Sequence, residues 1–347
     1  MSPADVVVET VPFTAGDGMK LNLKRIRGSV APWKGPVLLA PGAGVRAELF
    51  RPPEAVTVVD ALLADGWEVW LENWRASIDV PRNRWNLDQA AAYDHPQAVR
   101  TICDLTGAER VKAVVHCQGS SSFMLAVAAG LLPEVDNIVA NSMSLHPVVP
   151  AFSAFKLRRL VPLIAPLLPY VDTRWGEPGH PPPNPAARAL VAMVHATHRE
   201  CANSSCRMIS FTYGSGRPAL WSHENLSERT HDWLRAEFGA VPLSFFGQMA
   251  RSVHAGQLLP TGQFSCLPTD LLNHRPKSEA RIALLTGSQN RCFLPESQYR
   301  TLEYLEKHRP GGPQSIKEFD GYGHLDIFFA RYAARDIFDY IIEQLNR

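Results

Sequence analysis

The stretch Val111-Lys112-Ala113-Val114-Val115-His116-Cys117-Gln118-Gly119-Ser120-Ser121-Ser122 limits what this chain can fold into more than any other. Its apolar, β-branched first half reads as a buried parallel strand that stops at Cys117. Gly119 and three serines then open the helix-forming run Phe123–Ala129. A strand that turns into a helix within one residue is the corner written G-x-S-x-G, here with Val115, Cys117 and Gly119 on the marked positions. Such a corner needs small neighbours, because its strained backbone brings them against the helix. The helix N-terminus aims free N–H groups and the positive end of its dipole at the corner residue. A thiol pKa falls there, so Cys117 is the candidate nucleophile. The competing reading is a buried structural cysteine that ends a core strand.

Around this corner, strands and helices alternate. Val6–Val11 and Met19–Ile26 read as an antiparallel hairpin, and Gly35–Ala40 as a strand ending in Pro41-Gly42-Ala43-Gly44. A helix over Glu54–Ala64 leads to the strand Trp67–Trp74. Trp85–Gly107 is helical with a break, where Asp94 caps a second helix and Pro96 fits its first turn. After the elbow helix comes a strand at Asn137–Ser142. The pattern returns late, with strands at Ala280–Thr286 and Ser315–Phe319, a helix at Pro295–Lys307 between them, and a final helix over Leu325–Leu345. This is an α/β chain with a mostly parallel sheet and helices on both faces. Residues 148–277, rich in proline and without a run of strands, read as a large cap inserted into a core of 1–147 and 278–347. Within the cap, Leu157–Val171 is very apolar. It reads either as packing against the core or as the lining for a hydrophobic substrate.

A nucleophile on such a corner is followed in chain order by an acid and a histidine. His324, in the loop Gly321-Tyr322-Gly323-His324 after the last strand, is the candidate base. The orienting position, after the strand before, holds Asn290 where Asp is usual. With a serine nucleophile, Asp to Asn costs about 10⁴ in rate. A thiolate–imidazolium pair supplies its own negative charge, so the third residue has only to orient the ring, and an amide oxygen suffices. Cys117, His324 and Asn290 therefore make one set, with Asp320 and Asp326 as fallback orienters. The oxyanion hole needs two backbone donors: the N–H of Gln118 and that of Ala43, or Gly44, in the loop after the third strand. These residues require no cofactor.

Formal net charge is +1 from 35 basic and 34 acidic residues, with no basic run, which argues against nucleic acid as a partner. No apolar run reaches the length of a membrane span, and Met1–Asp5 carries no leader pattern. Six irregularly spaced cysteines suit a reduced, cytoplasmic chain. Gly42-Ala43-Gly44-Val45-Arg46-Ala47 also fits a dinucleotide fingerprint, which would make the elbow and the histidine loop coincidences. His195-x-x-His198-x-x-Cys201, followed by Cys206, has metal-ligand spacing. Spacing this loose is common by chance, so a polar cap helix is preferred and no metal is assigned. His223, His231 and His254 are candidate substrate contacts in the cap.

Gly66–Leu71, Arg75-Ala76-Ser77, Tyr93-Asp94, Val115–Ser120, Leu145-His146-Pro147, Asn225-Leu226, Thr230-His231, Asn290–Glu296 and Gly321–Asp326 together carry a resemblance. The chain resembles the α/β-hydrolase-like domain found fused to cholesterol-oxidase-type (GMC) flavoproteins. It is more distantly similar to acid lipases and polyhydroxyalkanoate synthases, and the latter also place Cys in this box. The resemblance implies the α/β-hydrolase fold and leaves the activity open. The expected function is that of an esterase, thioesterase or acyltransferase working through an acyl-thioenzyme on a hydrophobic small-molecule acyl substrate. The alternative is a non-catalytic partner module of a flavin oxidoreductase, in which case a flavoprotein is the partner.

Overall fold

The computed structural model describes residues 6–347; Met1–Asp5, read above as lacking a leader, lie outside the described residues. One sheet organises the chain. Its strands are β1 (Val7–Thr14), β2 (Lys20–Arg27), β3 (Pro36–Ala40), β4 (Glu68–Asn73), β5 (Val111–His116) and β6 (Val135–Asn141), with β9 (Arg281–Gly287) and β10 (Gln314–Phe319) arriving later. Their spatial order is β1-β2-β4-β3-β5-β6-β9-β10. The hairpin β1–β2 is antiparallel and joins β4 antiparallel, whereas every pair from β4 to β10 is parallel. Burial explains the composition: β3 and β4 are buried at every position, and so are five of the six residues of β5. Strands covered on both faces read as unbroken apolar runs.

The chain leaves β3 for β4 on one side and returns to β5 on the other. The carboxyl ends of β3 and β5 therefore meet at a point where connections diverge, the usual place for a ligand crevice in an open α/β sheet. Parallel register sets Ala40 opposite Val115, His116 opposite Asn141 and Asn141 opposite Leu285. The loops after β3, β5, β6, β9 and β10 thus open along one edge.

Local signals hold where they were local. Thr57 caps the helix Val58–Ala64 with a reciprocal Asp60 box, and Gly107 ends the helix His95–Thr106 in the left-handed conformation at φ 70°. Two expectations need correction. Asp94 caps nothing: the helix runs on through a π segment at Ala90–Asp94, and the Asp94 carboxylate instead accepts from Arg75 Nε at 2.9 Å and Arg75 N at 3.0 Å. A buried carboxylate needs a cation more than the following helix needs a cap. The C-terminal segment is also not one helix. Asp326–Phe329 is separated from the segment Ala334–Leu345, whose first turn is again π.

Between β6 and β9 the chain forms short helices and a two-stranded antiparallel sheet, β7 (Tyr170–Asp172) with β8 (Ala240–Pro242). Asn184, Asn203 and Ser227 cap three of these helices with their side chains. The apolar stretch Leu157–Val171 divides its residues. Leu157, Leu160, Ile164 and Val171 face a cavity, while Leu163 and Leu167 stand 71% and 60% exposed. Among the described residues no helix is long and apolar enough to cross a membrane.

Candidate active site

Cys117 sits at φ 53°, a conformation that costs a non-glycine residue about 1–3 kcal/mol and persists where its surroundings over-determine it. Those surroundings are the end of β5 and the start of the helix Cys117–Ala129. Gly119 has no alternative: a Cβ there would strike the Pro41 carbonyl, which Trp74 Nε1 already holds at 3.0 Å. The loop after β3 consequently lies against the sulfur, with a Cβ built on Gly42 only 3.6 Å from Cys117 Sγ.

His324 comes to the same place from the loop after β10. Cys117 Sγ and one ring nitrogen each of His116 and His324 lie within 4.8 Å of one another. Asn290 Oδ1 meets His324 Nδ1 at 3.1 Å. The amide's orientation follows from its other bonds. Oδ1 accepts from the N–H of Cys292 at 3.0 Å and of Phe293 at 3.3 Å, while Nδ2 donates to Ser142 Oγ at 2.9 Å. The face toward His324 is therefore an acceptor, Nδ1 carries a proton, and Nε2 is left for the sulfur. Among the described residues Ser142 is the other non-glycine residue at positive φ, 53°, so both ends of this chain rest on strained corners. Asp320 accepts from Ser288 Oγ at 3.0 Å, and Asp326 Oδ2 from the N–H groups of Ser222 and Gly323, both at 2.9 Å. Neither fallback carboxylate bonds the His324 ring.

The electrostatics favour an ionised sulfur. Burial opposes it, but the Cys292 S–H, the charge and ring of His324 and the N–H of Gln118 bring the Cys117 thiol down to about 5. A thiol is a weak donor, so the imidazole is the stronger of these partners. Burial and the neighbouring Cys117 push the Cys292 thiol up. Burial, with His324 beside it, holds His116 far below the usual imidazole range; Asn141 Nδ2 donates to its Nδ1 at 2.9 Å, which leaves Nε2–H as a donor. Of the two expected oxyanion donors, the Gln118 N–H bonds the sulfur itself, and Ala43 shares a cavity wall with Cys117. Gly44, the alternative to Ala43, is excluded because its N–H donates to Ala76 O at 2.9 Å.

Two cavities share Cys117. The larger spans about 770 Å³, part of it open to solvent, and is apolar, with Leu160, Ile164, Leu243, Phe246 and Met249 among its lining. The smaller, about 270 Å³, is lined by Ala43, His116 and His324. Lys156, unnoticed in the sequence, reaches the larger cavity, where burial brings its amine down to about 7 and it donates to the carbonyls of Phe211 and Gly214. The segment between β6 and β9 supplies lining residues to both cavities and is bonded to the loops after β3 and β10. Tyr213 Oη donates to Ala43 O at 2.9 Å, Gly239 N to Gly44 O at 3.0 Å, and His324 N to Leu220 O at 2.7 Å.

Of the remaining candidates, His195 bonds Ser204 Oγ at 2.8 Å, and His198 lies beyond the end of its helix, against the Val194 and Ser215 carbonyls. They do not join Cys201 and Cys206. His223 and His231 do, and neither borders the two cavities at Cys117; nor does His254. The Gly42–Ala47 fingerprint is taken up in the wall beside Cys117.

No family model and no curated protein matches this chain. Among solved structures it is similar to that of DcsB in complex with its substrate analogue, at 14% identity and a TM-score of 0.59, over 98% of this chain and 99% of that one. It is similar to the 2-hydroxy-6-oxo-6-phenylhexa-2,4-dienoate hydrolase of Rhodococcus sp. strain RHA1, at 14% identity and a TM-score of 0.56, over 98% of this chain and 100% of that one. A third is the Paleococcus ferrophilus monoacylglycerol lipase, at 16% identity and a TM-score of 0.52, over 98% of each chain. At such identities the likeness is one of fold.

Proposed function

We propose that this chain, which has the α/β-hydrolase fold, is a cysteine-nucleophile acyl-transfer enzyme acting on esters or thioesters of hydrophobic acyl groups. The observation that supports it best is that Cys117 lines both an apolar cavity and a smaller one faced by His324. In this reading the acyl chain occupies the larger cavity, and the leaving group or acceptor occupies the smaller. Cys117 S⁻ attacks the carbonyl carbon, and the Gln118 and Ala43 N–H groups hold the oxyanion. The carbon–oxygen or carbon–sulfur bond breaks as His324 Nε2 gives its proton to the departing group. Water, an alcohol, an amine or a thiol then loses a proton to the same nitrogen and attacks the thioester, releasing the thiolate. Asn290 is a positioning residue throughout. Hydrolysis, intermolecular transfer and cyclisation differ only in the acceptor.

The hydrolase and the lipase that share the fold accord with this chemistry. So does a site whose orienting amide suits a thiolate better than an alcohol. The division into a core of 1–147 and 278–347 and a cap of 148–277 belongs to the same reading. So does kinship with the domain fused to GMC flavoproteins: the motif residues Arg75 and Asp94, and Asn225 and Asp326, bond one another as scaffold for the site. Intact-mass spectrometry after incubation with acyl thioesters and esters of increasing chain length is the test. The expected result is an acyl adduct on the native protein that is absent in Cys117→Ala. No adduct from any member, together with an inert Cys117, would leave a partner module of a flavin oxidoreductase as the reading.

A further inference from the structure

Away from the active site, the cap gathers a second set of soft ligands. Cys201 Sγ, Cys206 Sγ and one ring nitrogen each of His223 and His231 all lie within 4.8 Å of one another. Cys206 Sγ is 3.4 Å from His223 Nε2, and Cys201 Sγ is 3.9 Å from His231 Nε2. Bonds of about 2.3 Å to sulfur and about 2.0 Å to nitrogen at tetrahedral angles put such atoms about 3.5 Å apart. The two measured edges bracket that value, so these two pairs need shifts of only a few tenths of an ångström to share one ion.

We propose that these four residues form a structural zinc site that pins the cap together. Two thiolates and two neutral imidazoles around Zn²⁺ make a neutral, closed tetrahedral centre, which suits a half-buried position and leaves no open coordination place for catalysis. Binding releases the two thiol protons to solvent. The groups behind the ligands fit the assignment. Glu200 Oε1 stands 3.6 Å from His223 Nδ1, the carboxylate that commonly orients a ligating imidazole, and its other oxygen accepts from the N–H of Ala219 at 2.9 Å. Asn203 ties two of the ligands' backbones: its Oδ1 accepts from Cys206 N at 3.0 Å and its Nδ2 donates to His231 O at 3.2 Å.

The ligands come from separate pieces: the loop before the helix Ser204–Tyr213, that helix's first turn, the short 3₁₀ turn His223–Asn225, and the helix Glu228–Glu237. The first helix runs on to Phe211 and Tyr213 in the large cavity's wall, about 10 Å along its axis from Cys206. Between the second and third pieces lies Leu220, whose carbonyl holds the backbone of His324. The site therefore braces the wall that faces the substrate and the loop that carries the base.

The test is elemental analysis of the untagged native protein purified without added metal, followed by exchange with cobalt(II). One zinc per chain is expected, with cobalt giving the intense visible bands of a tetrahedral ion and a thiolate charge-transfer band. Cys206→Ser and His231→Ala should each lose the metal at least tenfold, while Cys266→Ser and Cys117→Ala keep it. Less than a tenth of an equivalent in the native protein even after zinc is supplied, an octahedral cobalt spectrum, or metal lost in Cys117→Ala would overturn the assignment. If the ligand variants do not fold, the native stoichiometry and the cobalt spectrum decide.

Discussion

The helix Cys117–Ala129 carries the first member of two polar chains. At its first residue, Cys117 meets His324, which Asn290 orients. Five residues on, Ser122 Oγ lies 2.7 Å from His95 Nε2, and His95 Nδ1 lies 2.9 Å from both carboxylate oxygens of Glu72. By composition the second set, Ser–His–Glu, is the more ordinary hydrolase triad. It touches neither of the two cavities at Cys117, all three residues are fully buried, and the Ser122 hydroxyl also reaches the carbonyls of Gln118 and Gly119 in its own helix. A hydroxyl, a ring and an acid in line make a structural pin when nothing can reach them. What sets the first chain apart is that its sulfur lines two cavities.

The largest expected contrast follows from this. Cys117→Ala should abolish the acyl adduct and lower turnover by on the order of 10⁴ or more, whereas Ser122→Ala should keep turnover within about threefold and cost about 1–2 kcal/mol of stability in urea. If Ser122→Ala alone removed the activity, the assignment of roles would be reversed. Next in size is the pH profile of alkylation. Reaction of Cys117 with iodoacetamide tracks its thiolate, so the native rate should be flat above about pH 6 and fall as pH drops through about 5. His324→Ala removes the partner that favours the charged sulfur, so the midpoint should rise toward the ordinary thiol value of about 8.5, an effect of over tenfold at pH 6. His95→Leu should leave that profile unmoved yet cost about 3 kcal/mol or more in unfolding, because Glu72 is left buried and unpartnered. The smallest effect sharpens the thiol argument. Asn290→Ala should lower kcat by about 10- to 100-fold through a loose ring, while Asn290→Asp should change it less than about tenfold. A serine-type dependence of about 10⁴ on that position would contradict a preformed ion pair.

The first chain was legible because its parts are punctuated locally. A β-branched run ending at one cysteine, and a histidine between glycines after the last strand, are short-range patterns that the sheet's parallel order then aligns. Asn290 was legible by position in the chain order, although its amide's orientation, set by Ser142, Cys292 and Phe293, was not. The contacts of Cys292 with Cys117 and of Lys156 with Phe211 and Gly214 join residues more than fifty apart in sequence and leave no periodic trace. The cap quartet shows the same limit from the other side. Cys201 and Cys206 stood out by spacing, but the histidines nearest in sequence, His195 and His198, were drawn off by Ser204, Val194 and Ser215. The pair that joins the cysteines lies on later elements, with His223 and His231 spaced more widely than in a zinc finger. Asp94 misled for an energetic reason, since its carboxylate answers to Arg75 and not to the helix it adjoins.

The bonds from Leu220 to His324 and from Tyr213 to Ala43 bear on how molecules get in and out. A hinged door would have to break both at once, unseating His324 and loosening the loop after β3 in the same motion. Rotation of the half-buried aliphatic side chains Leu157, Leu160 and Ile164 in the lining of the larger cavity would break neither bond. A gate made of side chains alone would admit slim, unbranched molecules more readily than bulky ring systems.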